Sequence, residues 1–140
     1  MRHLFILLLV TFTCFSCNDE KKSTASNENS EAERSIQKGK RLYNKFCTSC
    51  HLPNGQGVAK VFPPLANSDY LKANREASIK AIKYGMSGKI TVNDEEYNGV
   101  MAPLGLSDNE IADIMNFITN NWGNTNNSLI TAEEVSKVQK

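Results

Sequence analysis

The stretch Cys47-Thr48-Ser49-Cys50-His51 constrains this chain more than any other. Two thiols two residues apart, followed at once by an imidazole, can all reach one planar group. Each thiol can add across one vinyl group of a porphyrin to give a thioether, and the His that comes next then lies under the ring as an iron ligand. C-x-x-C-H is the attachment signal for a covalent haem of the c type, so the chain must fold around a large apolar disc. Zinc competes poorly. A structural zinc takes four ligands, and the only other cysteines and histidine are Cys14, Cys17 and His3, all near the N-terminus. A thioredoxin-type pair calls for a strand–helix–strand pattern around it, and none is visible.

The N-terminus reads as delivery. Arg2 and His3 precede an apolar run over residues 4–12, the pattern of a secretory signal. The run is too short for a membrane span, which takes roughly 20 apolar residues. Thr13-Cys14-Phe15-Ser16-Cys17-Asn18 resembles a bacterial lipoprotein signal. Residues 1–16 are then the signal peptide and Cys17 the acylated anchor, because Ser16 is small and a polar stretch begins immediately. Cys14, after Thr13, is the alternative anchor, and it stands where such signals usually carry an aliphatic residue. The competing reading is a plain cleaved signal with incidental cysteines. More than one acyl chain on the Cys would hold the protein stably at a membrane, so the expected address is exported, on the periplasmic side, membrane-anchored. Residues 17–29 are almost wholly polar and are expected to be a disordered tether, with a reach of about 20 Å.

The 140 residues suffice for one small domain with extensions. A helix is predicted from Ser30, where Ser30-x-x-Glu33 forms a capping box. Ile36, Leu42, Tyr43 and Phe46 recur at helical spacing up to Cys47. Gly39 interrupts it at a cost of about 1 kcal/mol against Ala, which points to close approach by another backbone. After the motif, residues 52–57 are turn-rich, and Pro63-Pro64 hold an extended segment. Asn74 caps a helix through Tyr84, with Ile79 and Ile82 inward and Gly85 as its stop. Residues 89–97 read as a short hairpin turning at Asn93-Asp94. Ser107-x-x-Glu110, with Leu106 and Ile111 as a hydrophobic staple, opens the clearest helix. Its inward stripe is Ile111, Ile114, Met115, Phe117 and Ile118, and Gly123 ends it. Residues 124–140 read as a C-terminal tail: a polar link over 124–128, then Thr131-x-x-Glu134 with Ile130 and Val135 as staple, which allows a last short helix to about Val138.

From residue 30 to residue 123 the chain resembles the class I cytochrome c family in the order of its parts: helix, C-x-x-C-H, proline turn, middle helix, ligand loop, last helix. The resemblance implies an all-α cytochrome c fold. Three main helices would wrap one covalent haem c on Cys47 and Cys50, with a small β-hairpin before the methionine ligand. It implies that Gly39 and Tyr43 pack against the last helix opposite Ile114 and Phe117. It implies His51 as one axial ligand of the iron, steadied by a proline carbonyl, Pro63 or alternatively Pro64. The other axial ligand is a methionine in a Met-x-Pro setting, which Met101-Ala102-Pro103 supplies. Met86 is the alternative, and Met115 is most simply core.

The function implied is one-electron transfer in a respiratory chain by a membrane-tethered monohaem carrier, a monomer and not an enzyme. No His, Cys or paired carboxylate is arranged as nucleophile and base. The rivals are a haem enzyme of the peroxidase kind or a gas-binding sensor, each with an open sixth position, or an electron-entry subunit of a terminal reductase or oxidase. The formal net charge of +1 gives no reason to expect a nucleic-acid partner. The charges are segregated. Residues 34–89 hold eleven Lys or Arg against Asp69 and Glu76, while residues 90–122 hold six acids and no base. Two solvated faces are the plain reading. The functional one is a basic docking ring, with Lys45, Lys60 and Lys83 as members, for a redox partner bearing an acidic patch.

Overall fold

The computed structural model describes residues 20–140, with side chains from residue 29 onward. The signal peptide and the anchor residue expected at Cys17, with its alternative Cys14, lie outside the described residues.

Helix α1, Glu20–Phe46, starts ten residues before the expected cap at Ser30, so residues 20–29 are helical rather than an unstructured tether. Propagation costs little once a packed segment has nucleated a helix, and Glu, Lys and Ala in this stretch favour it. The apolar stripe begins only at Ile36, which packs on the core, and runs to the fully buried Tyr43. After Cys47, a four-residue helix α2, Thr48–His51, carries the motif.

A short helix α3, Asp69–Ala73, precedes α4, Arg75–Tyr84. The sequence does not announce α3, because its signal is a single N-cap, Ser68, whose side chain accepts from Leu71 N at 3.2 Å. Its presence redirects Asn74. The Asn74 side chain donates back to Tyr70 O at 3.1 Å instead of capping α4. Gly85, at φ +78°, ends α4 as expected.

Strands β1, Met86–Val92, and β2, Glu95–Met101, form one antiparallel hairpin, longer than the sequence suggests. Asn93 and Asp94 both have positive φ, the backbone of a tight turn whose twist matches the strands. Asn93 and Asp69 exchange bonds, each backbone N–H to the other's side-chain oxygen at 2.8 and 3.1 Å, which pins the hairpin tip to α3.

Helix α5, Asp108–Ile118, has the predicted capping box at Ser107 and Glu110 and buries all five stripe residues. It crosses α1 at Gly39, where the helices touch through backbone. A Cβ at 39 would lie 2.8 Å from Phe117 Cβ and closer still to the Asp113 carbonyl. The nearest atoms at the crossing thus belong to Asp113 and Phe117.

The segment after Gly123 carries the expected short helix, α6, Ala132–Lys137, with Thr131 as its N-cap. It buries Ile130, Val135 and Val138 in the common core. Asn116, only 1 % exposed, donates to Ile130 O and accepts from Ile130 N, both at 2.8 Å. Arg75 holds Glu134 through two bonds of 2.6 and 2.7 Å, and Tyr84 Oη donates to Val138 O at 3.0 Å.

Gly39→Val is expected to force α1 off α5. Overpacking of this kind costs about 1–3 kcal/mol or more, against a propensity gain that stays below the roughly 1 kcal/mol separating Gly from Ala, since Val is a poorer helix former than Ala. Thermal unfolding followed by far-UV circular dichroism checks it, and an unchanged midpoint would contradict the tight crossing.

Candidate functional site

The motif sits where α1 ends. Its backbone stays helical, with His51 N donating to Cys47 O at 2.9 Å, so Cys47, Cys50 and His51 share one turn. Tyr43, one turn earlier, locks that turn in place. Its hydroxyl donates to Leu52 O at 2.6 Å, and its ring lies 5.4 Å from Phe117 and 5.0 Å from Trp122. Phe117 and Trp122 meet edge to face at 5.1 Å, which closes an aromatic trio. Trp122 also covers Gly55, where a Cβ would press on the indole at 2.5 Å. Sequence alone assigns Trp122 no role, since a lone Trp just past a helix end carries no periodic signal.

Beyond the motif the chain doubles back. Val58 and Phe62 pair as an isolated bridge, with bonds of 2.9 and 2.8 Å, and Gly57 leaves room for the approach of Pro63. The result is a hydrogen bond of 3.0 Å between His51 Nδ1 and the Pro63 carbonyl. A carbonyl only accepts, so Nδ1 carries the proton and the lone pair at Nε2 is free to bind a metal. Burial holds the imidazole below its usual pKa, and the bond to Pro63 offsets part of that shift. The lowered pKa keeps the ring a neutral ligand at pH 7. Burial, with a smaller contribution from Cys50, pushes the Cys47 thiol up to about 11.

An apolar cleft opens between this proximal wall and the hairpin, in two lobes. The inner lobe, about 70 Å³, reaches Ile82, Ile114 and Ile118. The outer, about 380 Å³, runs past Phe46, Cys50 and Phe62 to Val61 and Val100. The outer lobe alone falls in the range of about 300–1,000 Å³ common for cofactor sites. Cys47, His51, Pro63, Met86, Ile90 and Met101 line both lobes. Among the described residues, no Lys, Arg, Asp or Glu lines either lobe. An apolar cleft with two thiols, a poised imidazole and two thioethers fits a haem of the c type and little else.

The methionines separate into two groups. Met115 is wholly buried in α5 and lines neither lobe. Met86 and Met101 face each other as the last cross-strand pair of the hairpin. Of the three lysines expected around the mouth, Lys45 and Lys60 are exposed, and Lys45 Nζ lies 4.8 Å from the ring of Phe46 on the cleft wall. Lys83 is spent elsewhere. It pairs with Asp108 at 3.1 Å and donates to Val135 O at 2.8 Å, so it does not belong to a free ring.

The family model described as cytochrome c matches residues 36–122. Cytochrome c-552 of Thermus thermophilus is 39 % identical over 110 residues, covering 72 % of this chain and 83 % of that protein. The cytochrome c subunit of a quinone alcohol dehydrogenase from Gluconacetobacter polyoxogenes is 35 % identical over 105 residues, but this covers only 22 % of that protein. The extent of these matches and the chemistry of the cleft agree: the chain belongs to the cytochrome c family of electron carriers, and its cofactor is a covalently attached haem c.

Proposed function

We propose that this protein is a one-electron carrier of a respiratory chain, tethered by lipid to the periplasmic side of a membrane. Bound haem c supplies the one-electron couple between ferrous and ferric iron. Cys47 and Cys50 would hold it by thioether bonds, His51 Nε2 and the Met101 sulfur would bind its iron, and α1, α4 and α5 would enclose it. The observation that carries this reading is the 3.0 Å hydrogen bond from His51 to Pro63. It fixes the ring plane and the tautomer, and it strengthens the imidazole as a ligand. Pro63 is therefore preferred to Pro64 as the residue behind His51.

Met101 is preferred to Met86 because it stands in the Met-x-Pro setting, Met101-Ala102-Pro103, just before the loop into α5. Gly85 packs on this segment so closely that a Cβ there would sit 2.6 Å from Met101 O and 2.9 Å from Pro103 Cδ. A thioether ligand favours ferrous iron, and the low-dielectric cleft disfavours the added charge of the ferric state. Two thioethers facing one cleft argue against an open distal position of the kind a peroxidase or gas sensor needs. The likeness to a dehydrogenase cytochrome c subunit favours a second reading, in which the domain serves within a larger redox assembly.

Met101→His is expected to lower the reduction potential, since imidazole is harder than thioether, while Met86→Leu leaves it nearly unchanged. A spectroscopic redox titration reads both, and the reverse pattern would transfer the ligand to Met86.

Docking would use the mouth of the cleft, flanked by Lys45 and Lys60, against an acidic patch on the partner. Steering of this kind is screened over about 8–10 Å at physiological salt. Electron transfer to the partner should slow with ionic strength, and Lys45→Glu or Lys60→Glu should slow it more than Glu110→Lys. Stopped-flow rates insensitive to salt would reject the basic ring.

The anchor is assigned to Cys17. Cys17→Ser protein should leave the membrane fraction and take up no labelled fatty acid; continued lipidation would move the anchor to Cys14.

A further inference from the structure

The register of the hairpin gives the cleft a second sulfur. Met86, Gly88, Ile90 and Val92 of β1 pair with Met101, Gly99, Tyr97 and Glu95 of β2, so these positions share one face of the ladder. That face looks into the cleft: Met86, Gly88, Ile90, Tyr97, Gly99 and Met101 all line it. Directly paired residues keep their Cβ atoms about 4.5–5.5 Å apart. A methionine has three rotatable bonds beyond that, so both thioethers sweep the same volume. The adjoining pair is Gly88 and Gly99, which puts no side chain between the methionines and the Ile90–Tyr97 pair. A Cβ at Gly88 would meet nothing within 4 Å. The two methionines are also held from different directions. Met101 leads into the 102–106 loop towards α5, whereas Met86 comes directly after the end of α4, where Tyr84 Oη is tied to Val138 O.

We infer that Met86 is a reserve axial ligand, whose thioether takes the sixth position whenever Met101 leaves it. This rests on the assignment of Met101 as the resident ligand. The exchange replaces one iron–sulfur bond by another, with no proton or electron moved, and so keeps the site closed to small external ligands. A tethered ligand acts at an effective concentration of about millimolar or more, which an external competitor must overcome.

The test uses haem-loaded ferric protein in four forms: unaltered, Met86→Leu, Met101→Leu and the double variant, with Met101→Ala as a second substitution in case Leu packs badly. Two readouts apply: the red-edge absorption band that ferric haem shows only with a thioether bound, and titration with imidazole. The band should persist in both single variants and vanish in the double variant. Imidazole affinity in the Met101 variants should stay within about tenfold of the unaltered protein, and rise about a hundredfold or more in the double variant. Loss of the band in the Met101 variants, with imidazole affinity equal to that of the double variant, would overturn the reserve role while leaving Met101 as ligand. Loss of the band in Met86→Leu alone would instead overturn the assignment of Met101.

Discussion

The crossing of α1 and α5 at Gly39 sets the frame on which everything else depends. Two helices can approach to backbone contact only where one lacks a Cβ, and here the Asp113 carbonyl and Phe117 occupy that place. The contact is reinforced on both sides. Ser35 Oγ donates to Asp113 Oδ1 at 2.6 Å and accepts from Asn116 Nδ2 at 2.9 Å. One turn further on, Tyr43 packs against both Phe117 and Trp122. Because the C-x-x-C-H turn continues directly from α1, fixing that helix against α5 also fixes the two thiols and the imidazole relative to the core.

From there the proximal wall is set by hydrogen bonds rather than by apolar packing. Tyr43 holds the Leu52 carbonyl, His51 O accepts from Gly57 N at 3.0 Å, and Gly55 O accepts from Leu65 N and Ala66 N at 2.7 and 2.9 Å. These bonds fold residues 52–66 back so that Pro63 presents its carbonyl to His51. A proline suits that place because its lack of an N–H leaves no donor to satisfy within an apolar wall. The desolvated imidazole stays neutral, as a metal ligand must.

Local signals are legible in the sequence, and long-range ones are not. The capping box at Ser107, the inward stripe of α5 and the Asn93-Asp94 turn each depend on residues within a few positions, and the structure agrees with them; Gly39 is legible only as a misfit in its own helix, since its partners on α5 lie more than 70 positions away. The early start of α1 escapes because helix propagation leaves no capping mark among polar residues. The short helix of the tail is legible, but what it docks against is not, because its partners are distant: Arg75 finds Glu134 across 59 positions, and Lys83 finds Val135 across 52. The same distance explains why Lys83 looks like a docking residue when read only as a charge. Met86 and Met101 read as alternatives in the sequence, and only the strand register makes them opposite numbers on one face.

The placement of the hairpin's first strand depends in turn on residues outside the part of the chain that matches the family. The matched region ends at residue 122, yet the end of α4, from which Met86 emerges, is held by residues beyond it. Lys83 and Tyr84 bond to the carbonyls of Val135 and Val138, and Asn116 ties the same segment to α5 through Ile130. The strap fastens α4 to α5, and none of its residues lines the cleft. Its buried Ile130, Val135 and Val138 are contributions to the core that a domain ending at Gly123 would lack. The hairpin has only two strands, too few to be stable alone, so its position is inherited from the helix it leaves and the loop it enters. The distal wall is therefore positioned at one end by Gly85 against Met101 and Pro103, and at the other by the pairing of Asn93 with Asp69. Between those two fixed points lies the row of small residues, Gly88 and Gly99, where the wall leaves space beside the two sulfurs.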